Sequence, residues 1–139
     1  MKTTKTIQLA AQGVILLSAC SFLSVSLMAF ANPQSVMDLV QVQLTNTDAF
    51  SSIRGVYGGV GLALSISLLY LMLKDVPKGL ALLSLLWGFY ALSRIITLFT
   101  EGPLGAFGTQ WLTIEASLFL ATVTLLLLNR KAVPVAAVH

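Results

Sequence analysis

Apolar positions run through this chain in four long blocks, roughly Ile7–Ala31, Ser52–Leu73, Gly79–Thr100 and Trp111–Leu128. Each meets or approaches the ~20 residues an α-helix needs to cross a hydrocarbon core about 30 Å thick. All but three of the charged residues, Arg54, Arg94 and Glu115, lie outside the blocks. The pattern predicts an all-α fold: an integral membrane four-helix bundle, with residues 1–139 forming one transmembrane domain.

The segments between the blocks carry their own signals. Asn32-Pro33 predicts the end of the first helix, because the residue before a proline is pushed out of the helical region. From Gln34 to Leu44, the residues Val36, Met37, Val40 and Leu44 recur at spacings of three and four, while Asp38, Gln41 and Gln43 fall elsewhere. This predicts a short amphipathic outer helix at the membrane interface, read as a lid packed on the bundle with no ligand role. Asn46-Thr47-Asp48 supplies turn and N-cap residues before the second span. The tight turn Lys74–Gly79 makes spans two and three antiparallel neighbours. A glycine-rich loop, Glu101–Gly108, joins spans three and four, and Pro134 begins a short disordered tail.

Composition supports the membrane reading. Of the 139 residues 57% are hydrophobic and only 9% charged, against about 25% charged in a soluble domain. The net charge of +3 is spread over helix flanks and spans rather than in a basic run, so it is no nucleic-acid footprint. The lone Cys20 excludes an internal disulfide and a cysteine-based metal cluster, and the lone His139 excludes a histidine-rich metal or haem site. No cofactor is implied.

The lysines and arginines outside the blocks set an orientation. Lys2 and Lys5, Lys74 and Lys78, and Arg130 and Lys131 alternate with two segments, 32–51 and 101–110, that hold neither residue type. The positive-inside rule then places both termini and the 74–78 turn in the cytoplasm. The first block has rival readings. Ala29-Phe30-Ala31 resembles a secretory cleavage site, and Leu17-Ser18-Ala19-Cys20 resembles a lipoprotein cleavage box. The block is long for a signal core and long enough to span, which favours a retained helix with Cys20 buried and unmodified.

Gly55-Val56-Tyr57-Gly58-Gly59-Val60-Gly61 has the look of a dinucleotide fingerprint, but it lies within an apolar span and lacks the strand and downstream acid that the motif requires. Gly55 and Gly59 are four apart, and Gly58, Gly61 and Ser65 share a face, which suits close helix packing in lipid.

The intramembrane charges are the candidate site. With a rise of 1.5 Å per residue, Arg54 lies in the first turn of span two. Arg94 lies about 22 Å along span three, and Glu115 about one turn below Trp111. With Glu101 at the end of span three, all four fall in the outer leaflet or its interface. Arginine suits buried carboxylate pairing because its planar fork binds bidentately and keeps its charge. Tyr57 lies three residues from Arg54, and Trp87, Tyr90, Arg94 and Thr97 recur along span three.

Two readings of Arg54, Tyr57, Tyr90, Arg94, Glu101 and Glu115 stand side by side. One is an outward-facing pocket with aromatic walls and a cationic floor, for a carboxylate, phosphate or lipid headgroup. The other is an ion-pair network that only fixes helix packing, with tyrosine and tryptophan as interface anchors. The leading function class is a non-enzymatic membrane protein that binds an anionic or amphiphilic small ligand, or a partner subunit. A small transporter or channel subunit would need oligomers of this chain, since four spans enclose too little for a wide pore. The inner half offers only Ser65, Ser67, Ser84, Thr122 and Thr124 as polar groups, which argues for a one-sided pocket. A membrane enzyme using Glu115 as acid or base is the weakest class, with no histidine, cysteine or metal cluster beside it.

Arg54-Gly55-x-Tyr57-Gly58-Gly59, Ser93-Arg94, Glu101-Gly102-Pro103 and Glu115 together resemble a family of small bacterial membrane proteins, domain of unknown function 4345. The resemblance covers roughly Pro33 to Leu128, with one departure: the family usually has aspartate where Glu101 stands. It implies four helices in a bacterial inner membrane and no particular activity.

Overall fold

The structure is a computed structural model. It describes residues 2–132, with side chains described from Lys5 to Arg130, so the tail expected from Pro134 to His139 lies outside the described residues. The elements are α1 (Lys2–Ala31), α2 (Pro33–Asp38), α3 (Thr47–Ile53), a π-helical segment (Arg54–Val60), α4 (Gly61–Lys74), α5 (Val76–Thr100) and α6 (Ala106–Ala132). The expected all-α class is observed. Among the described residues, four helical stretches are long and apolar enough to cross a membrane: Lys5–Ala31, Thr47–Lys74, Val76–Thr100 and Ala106–Arg130. The second of them joins α3, the π segment and α4 into one span.

Side-chain caps start α2, α3 and α5. Asn32 ends α1 as expected and caps α2, its Oδ1 accepting the Gln34 N–H at 3.1 Å, with Pro33 in the first helical turn where a missing donor costs nothing. Asn46 Oδ1 accepts the Ala49 N–H at 2.8 Å, so the second span begins at Thr47 rather than Ser52. Asp75 Oδ1 accepts the Lys78 N–H at 3.1 Å and starts α5.

The helix between the first two spans is shorter than the expected Gln34–Leu44. It stops at Asp38, and Gln41 then takes a left-handed φ of 58°. Val42 N–H reaches back to Met37 O at 3.1 Å and Gln41 N–H to Asp38 O at 3.1 Å, the paired bonds of a Schellman ending. The Gln34 side chain fixes the backbone beyond that ending. Its Nε2 donates to Asp38 Oδ1 and to Val42 O, and its Oε1 accepts the Leu44 N–H. Val36 and Met37 are buried with Ala29, and Val25, Leu44 and Ile53 pack against them, whereas Val40 is exposed.

Two compact units divide the chain, residues 16–70 and the described residues up to Ile15 with those from Leu71 onward. In the 16–70 unit the later part of α1 runs antiparallel to the second span along a seam of small residues. Ser26 Oγ donates to Gly58 O at 2.6 Å, and Ser65 Oγ donates to Ala19 O at 2.9 Å. Glycine at 61 makes the approach feasible, because a Cβ there would lie 3.2 Å from Ser26 Cβ and 3.5 Å from Phe22 O. The packing expected of Gly58, Gly61 and Ser65 is therefore present, but Gly55 and Gly59 face open space. Cys20 is exposed rather than buried. The packed face of α1 carries Ala11, Ile15, Ser18, Ala19, Ser26 and Ala29, and Cys20 projects from another side of the helix.

In the other unit Gln12 Nε2 donates to Met72 O at 3.4 Å. Ile15 there packs against Gly79, whose added Cβ would meet Ile15 Cδ1 at 3.0 Å. Helices α5 and α6 form an antiparallel hairpin, with Arg94 opposite Glu115 and Gly88 opposite Phe119. Leu80, Leu83, Trp87 and Ala91 form the buried face of α5.

Candidate functional site

The α5–α6 hairpin brings two of the sequence-predicted site residues together. Arg94 Nε donates to Glu115 Oε2 at 2.7 Å and Nη2 donates to Oε1 at 2.9 Å, a two-pronged fork on one carboxylate. The Glu115 side chain is 3% exposed and that of Arg94 24%. Glutamate in so dry a place is tolerable only if its charge is matched and its oxygens are bonded, and Arg94 does both. Helix α6 begins at Ala106, earlier than the expected Trp111. Glu115 therefore lies about 13 Å from the helix start, not about one turn in, and Arg94 about 9 Å from the end of α5. A short glycine-containing connection, with Gly102 at φ 109°, closes the hairpin, and the fork itself shows the two residues level across it.

An unforeseen residue completes this site. The Phe107 ring centroid lies 5.9 Å from Arg94 Cζ, within cation–π range, and Phe107 in turn tilts against Trp111 with ring centroids 6.1 Å apart. Phe107, Trp111 and Glu115 are spaced by four along α6 and share a face. That spacing is visible in the sequence, but the glycines around Phe107 make it read as part of the loop. On α5, the expected row is partly realised: Trp87 is buried and its ring tilts on that of Tyr90 at 6.1 Å, while Tyr90 is exposed.

The other predicted residues have separate local roles. Arg54, in the 16–70 unit, is exposed and donates from Nε to Phe30 O at 3.3 Å. Phe30 is next to the last residue of α1, where carbonyls lack intrahelical partners and the helix dipole is negative, so Arg54 acts as a C-terminal cap. Tyr57 lies exposed on the π-helical segment. Glu101 is exposed after the end of α5 and accepts a hydrogen bond from Thr100.

These residues include the ones that carry the family resemblance, and comparison with known families decides it. The sequence matches the family described as domain of unknown function (DUF4345) over residues 10–127. The chain belongs to the DUF4345 family. The match begins well before Pro33, so much of α1 is part of the DUF4345 domain, as its seam with the second span suggests. Neither the curated proteins nor the solved structures contain a match.

Proposed function

We propose that this DUF4345 protein is a multi-pass protein of the bacterial inner membrane, with both termini cytoplasmic. In this reading it binds the anionic headgroup of an amphiphile at Arg94, in the outer half of the bilayer. The orientation rests on the alternation of lysine- and arginine-bearing segments with segments that hold neither.

The observation that carries the binding reading is the asymmetry of the Arg94–Glu115 pair. Glu115 is sealed, with both oxygens bound to Arg94, whereas the guanidinium is partly open. The fork uses the Nε N–H and one N–H of Nη2, which leaves three of the five guanidinium N–H donors, one on Nη2 and two on Nη1, for a headgroup oxygen. Phe107 holds one side of the guanidinium, so the fork is fixed before a ligand arrives. The same commitment of both Glu115 oxygens favours binding over acid–base chemistry, which needs a carboxyl free to exchange a proton with substrate.

Native mass spectrometry in detergent with added phosphatidylglycerol tests the reading. Wild type should retain the lipid, and the apolar double variant Arg94→Leu/Glu115→Leu should remain folded and lose it. Equal retention by the two proteins would reject the site. Reporter fusions within residues 102–108 and after Arg130 should give opposite signals, and the same signal from both would reject the orientation.

A further inference from the structure

The second span is α-helical at both ends and π-helical between, over the seven residues Arg54–Val60. A π turn closes i→i+5 bonds and amounts to one surplus residue in an α-helix; such segments are rare and are often found at functional sites. Two bonds from α1 hold this one. Ser26 Oγ binds Gly58 O at 2.6 Å, and Arg54 is held at the first residue of the segment by Phe30 O at 3.3 Å. The two α1 residues are one turn apart, as are Arg54 and Gly58, so the contacts form a two-point clamp. Gly58 is tied in further by Phe30, whose ring lies where a Cβ would meet it at 3.2 Å.

We infer that Arg54–Val60 is a register switch between the observed π form and an α form. Absorbing the surplus residue into α geometry turns α3 by one helical position relative to α4, about 100° and 1.5 Å. Arg54 leaves the Phe30 carbonyl as it turns. Ile53, one residue away, packs against the Ala29–Val36–Met37 cluster, so α2 and its Gln34-bound loop respond to the same step. The switch thus links the cap on α1 to the segment joining the first two spans. A Cβ at Gly55 or Gly59 would meet nothing within 4 Å, so these two positions are not packed against a neighbour in the π form.

The test uses full-length protein in lipid nanodiscs, with the 15N and 13C resonances of Gly55, Gly58 and Gly59 as reporters. Deleting Val56, which is exposed, removes the surplus residue and supplies the α reference spectrum. Arg54→Leu and Ser26→Ala each release one end of the clamp and should move the glycine resonances toward that reference. Wild type should show exchange broadening confined to the segment. Glycine resonances that stay at wild-type positions in both variants would overturn the switch. A deletion variant that cannot fold would also overturn it, because the α form would then be inaccessible.

Discussion

Arg94 and Glu115 share a two-pronged fork, yet only the acid is sealed, 3% exposed against 24% for the base. The two single replacements should therefore differ. Arg94→Leu strands a buried carboxylate and should cost about 3–5 kcal/mol. Glu115→Leu leaves a guanidinium that can extend toward the headgroups, so its cost should be smaller. The double variant should lose less than the sum of the singles. Thermal unfolding of all four proteins in one detergent measures this. Strictly additive losses would mean that the fork contributes no coupling.

Phe107 faces the same guanidinium at 5.9 Å. Phe107→Leu keeps apolar bulk but removes the ring quadrupole and should lower stability by about 0.5–1 kcal/mol. Phe107→Trp should restore or exceed wild type, because tryptophan is the strongest cation–π partner. In an Arg94→Leu background both changes should have little effect. A full-sized effect of Phe107→Leu in that background would assign the residue to packing alone.

The sequence makes some of this legible for a plain physical reason. Bilayer crossing demands long apolar runs, so the four spans can be read directly, and opposite charges at matched depth make Arg94 and Glu115 natural partners. Other features leave no residue-level mark. The acceptor for Arg54 is a backbone carbonyl at Phe30, which every residue type offers. The π segment is one surplus residue, and its glycines already have a packing explanation. The packed side of α1 is hidden because the helix is apolar nearly all round, which is why Cys20 reads as buried and is in fact exposed. Gln41, holding a left-handed φ where glycine is usual, conceals the early end of α2.

The first span should be retained. Its small residues meet the second span through Ser26–Gly58 and Ala19–Ser65, and removing it would take one partner from each pair, leaving Gly58 O and Ser65 Oγ without these bonds in lipid. Intact-mass analysis of purified protein should find the segment before Asn32 present and Cys20 unmodified. A product starting at Asn32, or one lipidated at Cys20, would show that the helix is a processing signal.

Asp75 and Lys78 link a helix cap to pH. The side-chain hydrogen bond from Lys78, followed by the bond from its backbone N–H, holds the Asp75 carboxyl below its ordinary value of 3.8. A depressed folded pKa contributes stability above the unfolded value, and that contribution is lost as pH falls through the folded one. Asp75→Asn keeps a side-chain acceptor for the cap but removes the charge. Wild type should exceed this variant slightly in thermal midpoint at about pH 6, and the gap should close as pH drops below 3.8. Midpoint curves that stay parallel to low pH would dissociate the cap from the ion pair.

Glycines in the second span should sort by what their missing Cβ would touch. At Gly61 the added carbon meets Ser26 Cβ at 3.2 Å and Phe22 O at 3.5 Å, both belonging to the seam itself. Gly61→Ala must therefore part the helices and weaken the nearby Ser26–Gly58 bond, at a cost of about 1–3 kcal/mol. At Gly58 the obstacle is the Phe30 ring, an exposed side chain that can swing aside, so Gly58→Ala should cost less. Gly55 and Gly59 meet nothing within 4 Å, and alanine there should stabilise by about 0.4–1 kcal/mol through lower unfolded-state entropy. Thermal unfolding of the four variants gives the ranking. If Gly55→Ala or Gly59→Ala proved as damaging as Gly61→Ala, that face would have to be packed against another chain rather than lipid.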